Sequence, residues 1–327
     1  MIDPFDPSLT FEEKSLQIFE YQKTNNPVYQ RFCQALGVNV VNSVSEIPLL
    51  PIQAFKDATL ITEHESLNIQ DSSLKFESSG TSGMHRSKHY VLDPKLYKES
   101  ILKGMNHFYN LENYVVLAYT PGYAENPNSS LVWMLNTLIK NDNTGMSRFL
   151  PLGDVIVSDF LDEITSSGKK VMLFGAAFGL LDLIEMGSPS LPVNAVILET
   201  GGMKTHRREM TKEALHERLA TGFNLPKESI HSEYGMTELL SQAYSRGSFW
   251  FECVPWMQVS IRNPQNPMEE MSSGEEGLIG VIDLANINSC SFILTGDKGV
   301  QGEDGKFQVL GRWNPINLRG CNFLIED

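Results

Sequence analysis

The chain has 327 residues, of which 41% are hydrophobic and 20% are charged, proportions that are ordinary for a globular protein with a sizeable core. Its 26 basic and 40 acidic side chains give a formal net charge of -14, which argues against a nucleic-acid partner because such binding depends on Lys and Arg. No apolar run approaches the roughly 20 residues of a membrane helix, and the start "MIDPFDPSLTFEEKS" is acidic where a secretory signal would be basic. The four cysteines form no CxxC pair. We therefore expect a reduced, cytoplasmic protein without a membrane or nucleic-acid partner.

The N-terminal segment is predicted to be helical. Apolar residues at helical spacing predict a helix over residues 10–24. A second helix is predicted to begin after Asn26, with Pro27 in its first turn, and to stop at Gly37, because these residue types favour helix starts and ends. Prolines at positions 48 and 51 then exclude a long helix in the stretch that follows.

The next segment is predicted to be two short strands joined by a loop. "SLKFE" and "KHYVLD" are strand-like, and "SSGTSG", residues 78–83, lies between them. A strand–loop–strand arrangement differs from the strand-to-helix loop of Walker-type NTPases, and the motif GxxxxGK[ST] does not occur in the sequence. Asp93 as a cap and Pro94 in the first turn then predict a helix up to residue 108.

Residues 114–234 alternate between buried strands and amphipathic helices. Strand-like runs cover 114–120, 169–177 and 194–202, and helical patterns cover 129–140, 177–186 and 207–221. This alternation predicts a largely parallel sheet with helices on both faces. After Tyr234, short strand-like segments separated by Gly, Asn and Pro predict a smaller antiparallel lobe. The predicted fold class is therefore α/β with an added β lobe.

The loop at residues 78–83 has the composition of an anion-binding loop. Glycine lets backbone N–H groups approach an anion closely, and the serine and threonine hydroxyls add donors. Arg86 and Lys88 supply positive charge nearby. His85 and His89 lie four residues apart, which favours contact with phosphate or substrate, or plain exposure, over a metal site. The alternative for the whole stretch is a hairpin turn with no ligand.

Three later stretches carry further polar groups. "HSEYGMTE" places Thr237 beside Glu238, a pairing that suits a phosphate oxygen and Mg²⁺. "LTGDKG" predicts Asp297 on a tight turn, where its carboxylate can accept ribose hydroxyls. "GRWNPINLRG" offers Arg312 and Arg319 as forked donors. Each stretch alone also fits a plain turn or a surface arginine.

The order of these motifs resembles the adenylate-forming superfamily of acyl-CoA synthetases. "SSGTSG", "TGG", "YGMTE", "TGD" and "GR" follow one another at comparable spacings from about residue 70 to the end. "IPLLPIQAFKD" and "LETGGMK" make the chain most similar to the LuxE-like acyl-protein synthetases. The resemblance implies a helical segment over residues 1–70, an α/β adenylation core over 71–235 and a β-rich lobe over 236–327.

The resemblance also implies which residues hold ATP and Mg²⁺. Members of the superfamily join a carboxylic acid to the α-phosphate of ATP and then pass the acyl group to a thiol. The implied phosphate-binding residues are Ser78, Ser79, Gly80, Thr81, Ser82 and Gly83, and the implied adenine-side residues are Gly201, Gly202, Tyr234 and Gly235. Thr237 would contact the α-phosphate, Glu238 would hold Mg²⁺, and Asp297 with Arg312 would hold the ribose.

The chain departs from the superfamily at its C-terminal end. Acyl-CoA synthetases continue into a small domain that carries a catalytic lysine, and this sequence ends at Asp327. Lys204, Lys88 and Arg86 are the candidate replacements, and Lys204 is preferred because it follows the adenine-side glycines. LuxE-like proteins are acylated on a cysteine near the C-terminus, which here corresponds to Cys321, six residues from the end. The alternative is that Cys321 is a buried, inert residue of a terminal strand.

Three functions fit the sequence. The first is ATP-dependent activation of a carboxylic acid, fatty or aryl, with acyl transfer to Cys321 or to a partner protein. The second is a CoA ligase that resembles phenylacetate-CoA ligases and takes its C-terminal domain from another protein. The third is a nucleotide-binding subunit without catalysis. The resemblance makes an acyl-carrier or acyl-reductase protein a plausible partner, while the acyl chain, the final thiol acceptor and the oligomeric state stay open.

Overall fold

The computed structural model of the chain describes residues 2–63, 74–78, 86–122, 126–201 and 210–313. The α-helices of these ranges are α1 Phe11–Asn25, α2 Pro27–Ala35, α3 Ala54–Asp57, α4 Pro94–Phe108, α5 Ser130–Asn141, α6 Ser158–Ser166, α7 Ala177–Glu185 and α8 Lys212–Phe223. The strands are β1 Leu50–Pro51, β2 Leu74–Glu77, β3 Lys88–Val91, β4 Tyr114–Tyr119, β5 Arg148–Phe149, β6 Lys170–Ala176, β7 Val196–Thr200, β8 Ile230–Tyr234, β9 Ala243–Arg246, β10 Glu252–Cys253, β11 Met257–Arg262, β12 Glu276–Asp283, β13 Phe292–Gln301 and β14 Phe307–Arg312. Short 3₁₀ turns lie at Val44–Glu46, Leu111–Asn113, Lys227–Ser229 and Leu284–Asn286.

Local capping explains where the first helices begin. Thr10 and Glu13 form a capping box at the start of α1, in which each side chain binds the other residue's backbone N–H. The Asn26 side chain accepts hydrogen bonds from the backbone N–H groups of Val28 and Tyr29 at the start of α2. The two predicted N-terminal helices are confirmed, with ends that differ by one or two residues.

The first sheet is largely parallel, as predicted. Its strand order is β10-β9-β8-β7-β6-β4-β5, in which β4 to β8 pair in parallel while β9 and β10 add antiparallel strands at one edge. Apolar residues of α4 and α5 cover one face of the sheet, and those of α6, α7 and α8 cover the other. Burial on both faces explains why apolar residues run through most of β4 and β6 and the first three residues of β7.

The second sheet is mainly antiparallel and carries the N-terminal helices. Its order is β1-β13-β12-β11, with β14 paired to β13 and β1 parallel to β13. Phe19 of α1 and Tyr29 of α2 pack against Phe292 at the start of β13, with ring centroids 6.3 Å and 5.5 Å apart. The N-terminal segment therefore shares the core of the β-rich lobe.

A separate hairpin of β2 and β3 carries the serine- and glycine-rich stretch. The strands are antiparallel, with Glu77 opposite Lys88 and Phe76 opposite His89. This confirms the predicted strands on either side of the loop. Residues 79–85 of the loop itself lie outside the described residues.

Asp297 is not on a tight turn, so that prediction is wrong. It lies inside β13, directly opposite Arg312 of β14. Thr-Gly-Asp has the composition of a turn, but pairing with β14 keeps the backbone extended, with an irregular register between Lys298 and Gly299. Helix α6 and the two-residue strands β1 and β5 were not predicted, because short elements give little periodic signal.

Candidate nucleotide site

The candidate site begins where two neighbouring parallel strands end. Strands β7 and β8 lie side by side, with Thr200 opposite Glu233. Gly201 follows β7 with a φ of 81°, a conformation that favours glycine, and Gly235 follows Tyr234 at the end of β8. A Cβ on Gly235 would lie 2.2 Å from Glu233 Oε1. Open parallel sheets bind ligands at this carboxyl edge.

Tyr234, Asp297 and Arg312 form one hydrogen-bonded cluster. The Tyr234 hydroxyl donates to Asp297 Oδ2 at 3.0 Å, and Arg312 Nε lies 3.1 Å from Asp297 Oδ1. The Asp297 N–H donates to the Thr295 hydroxyl at 3.1 Å. Burial raises the pKa of Tyr234 well above its usual value, so the hydroxyl keeps its proton and acts as a donor. Three separate motifs of the sequence therefore meet at one carboxylate.

Glu238 meets the base of the β2–β3 hairpin. Ser78 and Ser87 close the hairpin, since Ser78 N donates to Ser87 O at 3.1 Å and Ser87 N donates to Ser78 Oγ at 3.0 Å. Burial raises the pKa of the nearby Glu238 carboxyl group, although the Ser87 hydroxyl and the charges of Arg312 and Lys56 act in the opposite direction.

His89 is fully buried, so the prediction of a substrate contact or an exposed ring is wrong. Its Nδ1 lies 2.8 Å from Thr237 O, and its Nε2 lies 3.0 Å from Asn286 Oδ1. Asn286 Nδ2 in turn donates to Glu238 O at 2.8 Å. The physical reason is strand alternation: Lys88 points to solvent from β3, so His89 must point inward.

Several predicted site residues lie outside the described residues. These are Ser79, Gly80, Thr81, Ser82, Gly83, Gly202, Lys204 and Cys321. Lys88 is described and exposed, on the opposite side of β3 from His89, and its catalytic role stays a prediction. The other predicted site residues lie on the segments that the contacts above join. These residues are Ser78, Gly201, Tyr234, Gly235, Thr237, Glu238, Asp297 and Arg312.

A second polar cluster, around the buried Glu199, was not predicted. Glu199 accepts a hydrogen bond from Ser232 and lies 3.4 Å from Lys212 Nζ and 3.6 Å from His216 Nε2. Burial acts to raise the pKa of Glu199, but Lys212, His216 and Ser232 outweigh it and lower the pKa overall. Periodicity alone gives no sign of this cluster, because its members are spread over two strands and a helix.

Glu233 behaves in the opposite way on the other face of the sheet. The Thr200 hydroxyl donates to its carboxylate. Burial raises the pKa of Glu233 to about 7, with a further contribution from the charge of Glu199. A buried carboxyl group that holds its proton near neutral pH therefore lies next to Gly201 and Gly235.

No three His, Cys, Asp or Glu side chains within the described part of the chain come close enough to hold a metal ion together. A cavity of about 700 Å³ lies between residues 37–46 and Glu270, and one of about 420 Å³ lies between α6 and residues 190–194. Neither cavity is lined by a predicted site residue. Of the helices in the described ranges, none is both long and apolar enough to cross a membrane.

A curated relative matches almost the whole chain. It is the long-chain-fatty-acid–luciferin-component ligase of Vibrio harveyi, 25% identical over an alignment of 327 positions that covers 93% of this chain and 84% of the relative. The predicted resemblance to LuxE-like acyl-protein synthetases is confirmed. No family model matches the chain.

Solved structures of ligases share the fold. A 2-hydroxyisobutyryl-CoA ligase, in complex with 2-HIB-AMP and CoA, gives a TM-score of 0.64 at 11% identity and covers 92% of this chain and 68% of its own. O-succinylbenzoate coenzyme A synthetase from Bacillus subtilis, in complex with AMP, gives a TM-score of 0.52 at 18% identity and covers 75% of this chain and 50% of its own. ATP-bound MatB from Rhodopseudomonas palustris gives a TM-score of 0.51 at 14% identity and covers 73% of this chain and 47% of its own.

The chain has the fold of the adenylate-forming ligases. It spans about half the length of the MatB and O-succinylbenzoate synthetase structures that it matches. The predicted α/β fold class is confirmed, as is the prediction of an enzyme related to acid–thiol ligases. The boundaries of the three predicted regions stay predictions.

Proposed function

We propose that this chain activates a carboxylic acid with ATP as an acyl-adenylate and then transfers the acyl group to a thiol. The observation that supports this most strongly is the cluster of Tyr234, Asp297 and Arg312 beside the carboxyl ends of β7 and β8. A nucleotide needs an acceptor for its ribose hydroxyls and positive charge near its phosphates, and this edge of the sheet offers the Asp297 carboxylate and the Arg312 guanidinium.

Asp297 is the proposed ribose acceptor. Each of its two carboxylate oxygens already receives one donor, from Tyr234 and Arg312, and each keeps a lone pair for a ribose hydroxyl. Its side chain is held in place on both sides, so little conformational entropy is lost when the ribose binds. Gly201 and Gly235 themselves add no side chain to the proposed adenine side.

Glu238 is the proposed contact for Mg²⁺. A carboxylate is the kind of hard oxygen ligand that Mg²⁺ prefers, and Mg²⁺ commonly binds one or two protein carboxylates together with substrate phosphates and waters. Burial alone raises the pKa of Glu238, so a bound cation would favour its charged form. When bound, Mg²⁺ supplies charge neutralisation on the phosphates. Thr237, the residue before Glu238, would contact the α-phosphate.

The acid attacks the α-phosphate of ATP, which forms a carboxylate–phosphate bond and releases pyrophosphate. A thiolate then attacks the acyl carbon; the carbon–sulfur bond forms, the bond to the phosphate oxygen breaks and AMP leaves with the electron pair. Positioning and charge neutralisation supply most of such catalysis. Lys204 and Lys88 are the proposed cations for the first step.

The acceptor thiol is proposed to be Cys321 or a thiol of a partner protein. Cys33, Cys253 and Cys290 are poor candidates because burial raises their pKa values to about 11, 12 and 12, which disfavours the reactive thiolate. The name of the Vibrio harveyi relative favours a long-chain fatty acid as substrate. An acyl-carrier or acyl-reductase protein is the proposed partner.

Acid-dependent exchange of labelled pyrophosphate into ATP tests the first step. The panel includes short, long and aryl acids, and we expect exchange with long fatty acids. Asp297→Asn and Glu238→Gln should lower exchange at least tenfold, whereas Asp304→Asn, in the exposed turn between β13 and β14, should not. Absence of exchange with every acid in the panel would rule out adenylation by this chain alone.

Hydroxylamine-labile labelling tests the second step. Wild-type protein incubated with ATP and a labelled acid should acquire the label, and Cys321→Ser should lose it while keeping exchange. A label that persists in Cys321→Ser but disappears in Cys253→Ser would identify Cys253 as the acyl acceptor instead.

CoA ligation is the second candidate function. It is favoured by the solved 2-hydroxyisobutyryl-CoA ligase, whose structure holds both 2-HIB-AMP and CoA and covers 92% of this chain. Formation of an acyl-CoA by the purified protein would support it. ATP binding without exchange for any acid would instead support a nucleotide-binding subunit.

A further inference from the structure

His89 joins two segments that are far apart in sequence. It belongs to β3, the strand that leaves the serine- and glycine-rich loop, and its ring lies against the backbone of Thr237. Ser87, the buried residue just before β3, lowers the pKa of Glu238 through its hydroxyl. The segment from Ser87 to His89 therefore lies against both Thr237 and Glu238.

The other side of the His89 ring faces Asn286, whose own position is fixed by further hydrogen bonds. His89 Nε2 lies 3.0 Å from Asn286 Oδ1, and the same Asn286 amide donates to Glu238 O at 2.8 Å. Asn286 is itself held, because Gln22 Nε2 of α1 donates to Asn286 O at 3.1 Å. The ring of Phe55 meets His89 edge-on, with centroids 5.5 Å apart, and closes the site from the side of α3.

The imidazole is a neutral group in this position. Burial lowers the pKa of His89 to about 4, so at neutral pH it carries one N–H. The shorter of its two contacts is that of Nδ1 with Thr237 O, which is a backbone acceptor. The charged side chains near Thr237 and Glu238 are Glu238 itself and the cations Arg312 and Lys56, which lower the pKa of Glu238. The ring therefore acts through a directed hydrogen bond rather than through charge.

We propose that His89 is a positioning residue that, together with Asn286, holds the backbone of Thr237 and Glu238 in place for binding of Mg²⁺–ATP. This inference rests on the proposed function, since it assigns His89 to the same nucleotide site. His89 touches neither nucleotide nor metal. Its single N–H bonds Thr237 O, while Asn286 Nδ2 bonds Glu238 O, and the two bonds fix the backbone that carries the proposed phosphate and metal contacts. Loss of such supporting bonds typically weakens metal binding about 10- to 100-fold.

His231 provides a matched control. It too is a buried histidine with two ring contacts, Nδ1 at 3.0 Å from the Tyr109 hydroxyl and Nε2 at 3.0 Å from Glu228 O, and burial lowers its pKa to about 4. It lies near the start of β8, whereas the candidate site lies beyond the end of that strand. A purely structural histidine should therefore behave alike at both positions.

The experiment compares ATP binding with and without Mg²⁺ by calorimetry for wild type, His89→Phe, His89→Asn and His231→Phe. We expect His89→Phe to reduce the affinity gain from Mg²⁺ about tenfold. The amide of His89→Asn can still donate to Thr237 O and should restore most of that gain. His231→Phe should keep the wild-type gain although it loses stability in a thermal melt.

Other outcomes overturn the inference. An equal Mg²⁺ gain in wild type and His89→Phe, or equal losses in His89→Phe and His231→Phe, would make His89 an ordinary core residue. If His89→Phe does not fold, Asn286→Ala takes its place with the same expectation. Failure of wild type to bind ATP at all would instead overturn the proposed function, and the wild-type titration alone identifies that case.

Discussion

Two glutamates on neighbouring strands show how single residues take opposite protonation states. Glu199 and Glu233 are both buried, but only Glu199 has a lysine and a histidine close to its carboxylate. Its pKa is lowered, whereas burial raises that of Glu233 to about 7. Burial and charge partners thus compete at each site, and the partner decides the result.

Glu233→Gln should change how stability depends on pH. The folded state holds the Glu233 proton up to about pH 7, against a usual pKa of 4.5, so this carboxyl group makes the wild type less stable as pH rises through that window. The unfolding free energy of Glu233→Gln minus that of wild type should therefore rise from pH 4.5 to 7, by at most about 1.4 kcal/mol per pH unit. Urea unfolding at a series of pH values measures it.

Glu199→Gln is the control for this prediction. Because the pKa of Glu199 is lowered below 4.5, its contribution is present above that pH and is lost only at lower pH. Its difference from wild type should rise much less between pH 4.5 and 7, because Glu199 affects this window only through its smaller contribution to the pKa of Glu233. A Glu233→Gln difference no larger than that of Glu199→Gln would contradict the protonated state of Glu233.

Tyr234→Phe should destabilise the protein through Asp297. The variant removes the hydroxyl that donates to the buried Asp297 carboxylate at 3.0 Å, and a hydrogen bond to a charged group contributes about 1.5–3 kcal/mol. Tyr244→Phe is a matched control, since the buried Tyr244 hydroxyl has no hydrogen-bond partner within the described structure. Urea unfolding should show a loss for Tyr234→Phe and little or no loss for Tyr244→Phe; equal losses would contradict the account.

At the scale of elements, glycine sets how closely strands approach near the site. Gly175 lies in β6 between β4 and β7, and a Cβ there would come 2.3 Å from the backbone oxygen of Tyr119. Backbone cannot move aside as a side chain can. The parallel sheet therefore depends on this position having no side chain.

Gly175→Ala should destabilise the sheet by about 1–3 kcal/mol, the usual cost of overpacking. Gly296→Ala in β13 is the control, because its Cβ would meet only Arg312 Nη1 at 3.4 Å, an ordinary contact. Chemical unfolding of both variants measures the difference. A loss in Gly296→Ala as large as in Gly175→Ala would contradict the close approach to the Tyr119 backbone as the cause.

Elements with local signals were predictable, and long-range contacts were not. Asp93 and Pro94 mark the start of α4 in the sequence, and the structure begins that helix at Pro94. The turn composition around Asp297 was misleading, because its strand conformation depends on β14. Strand alternation in "KHYV" could have placed His89 inward, but nothing in the sequence could have paired it with Asn286, 197 residues later.

At the scale of the whole molecule, the candidate site joins the two sheets. Tyr234 ends a strand of the parallel sheet, while Asp297 and Arg312 belong to the antiparallel sheet. The Tyr234 ring also packs against Phe307 of β14, with centroids 5.4 Å apart. The order of motifs along the sequence was informative for this reason: the fold brings Tyr234, Asp297 and Arg312 to one junction.

A crystal structure of the protein with AMP tests the central claim most directly. The account predicts that the ribose hydroxyls lie within hydrogen-bonding distance of the Asp297 carboxylate and that the adenine lies beside Gly201 and Tyr234. AMP bound on a different surface, with the Asp297 carboxylate still bonded only to Tyr234 and Arg312, would contradict the account.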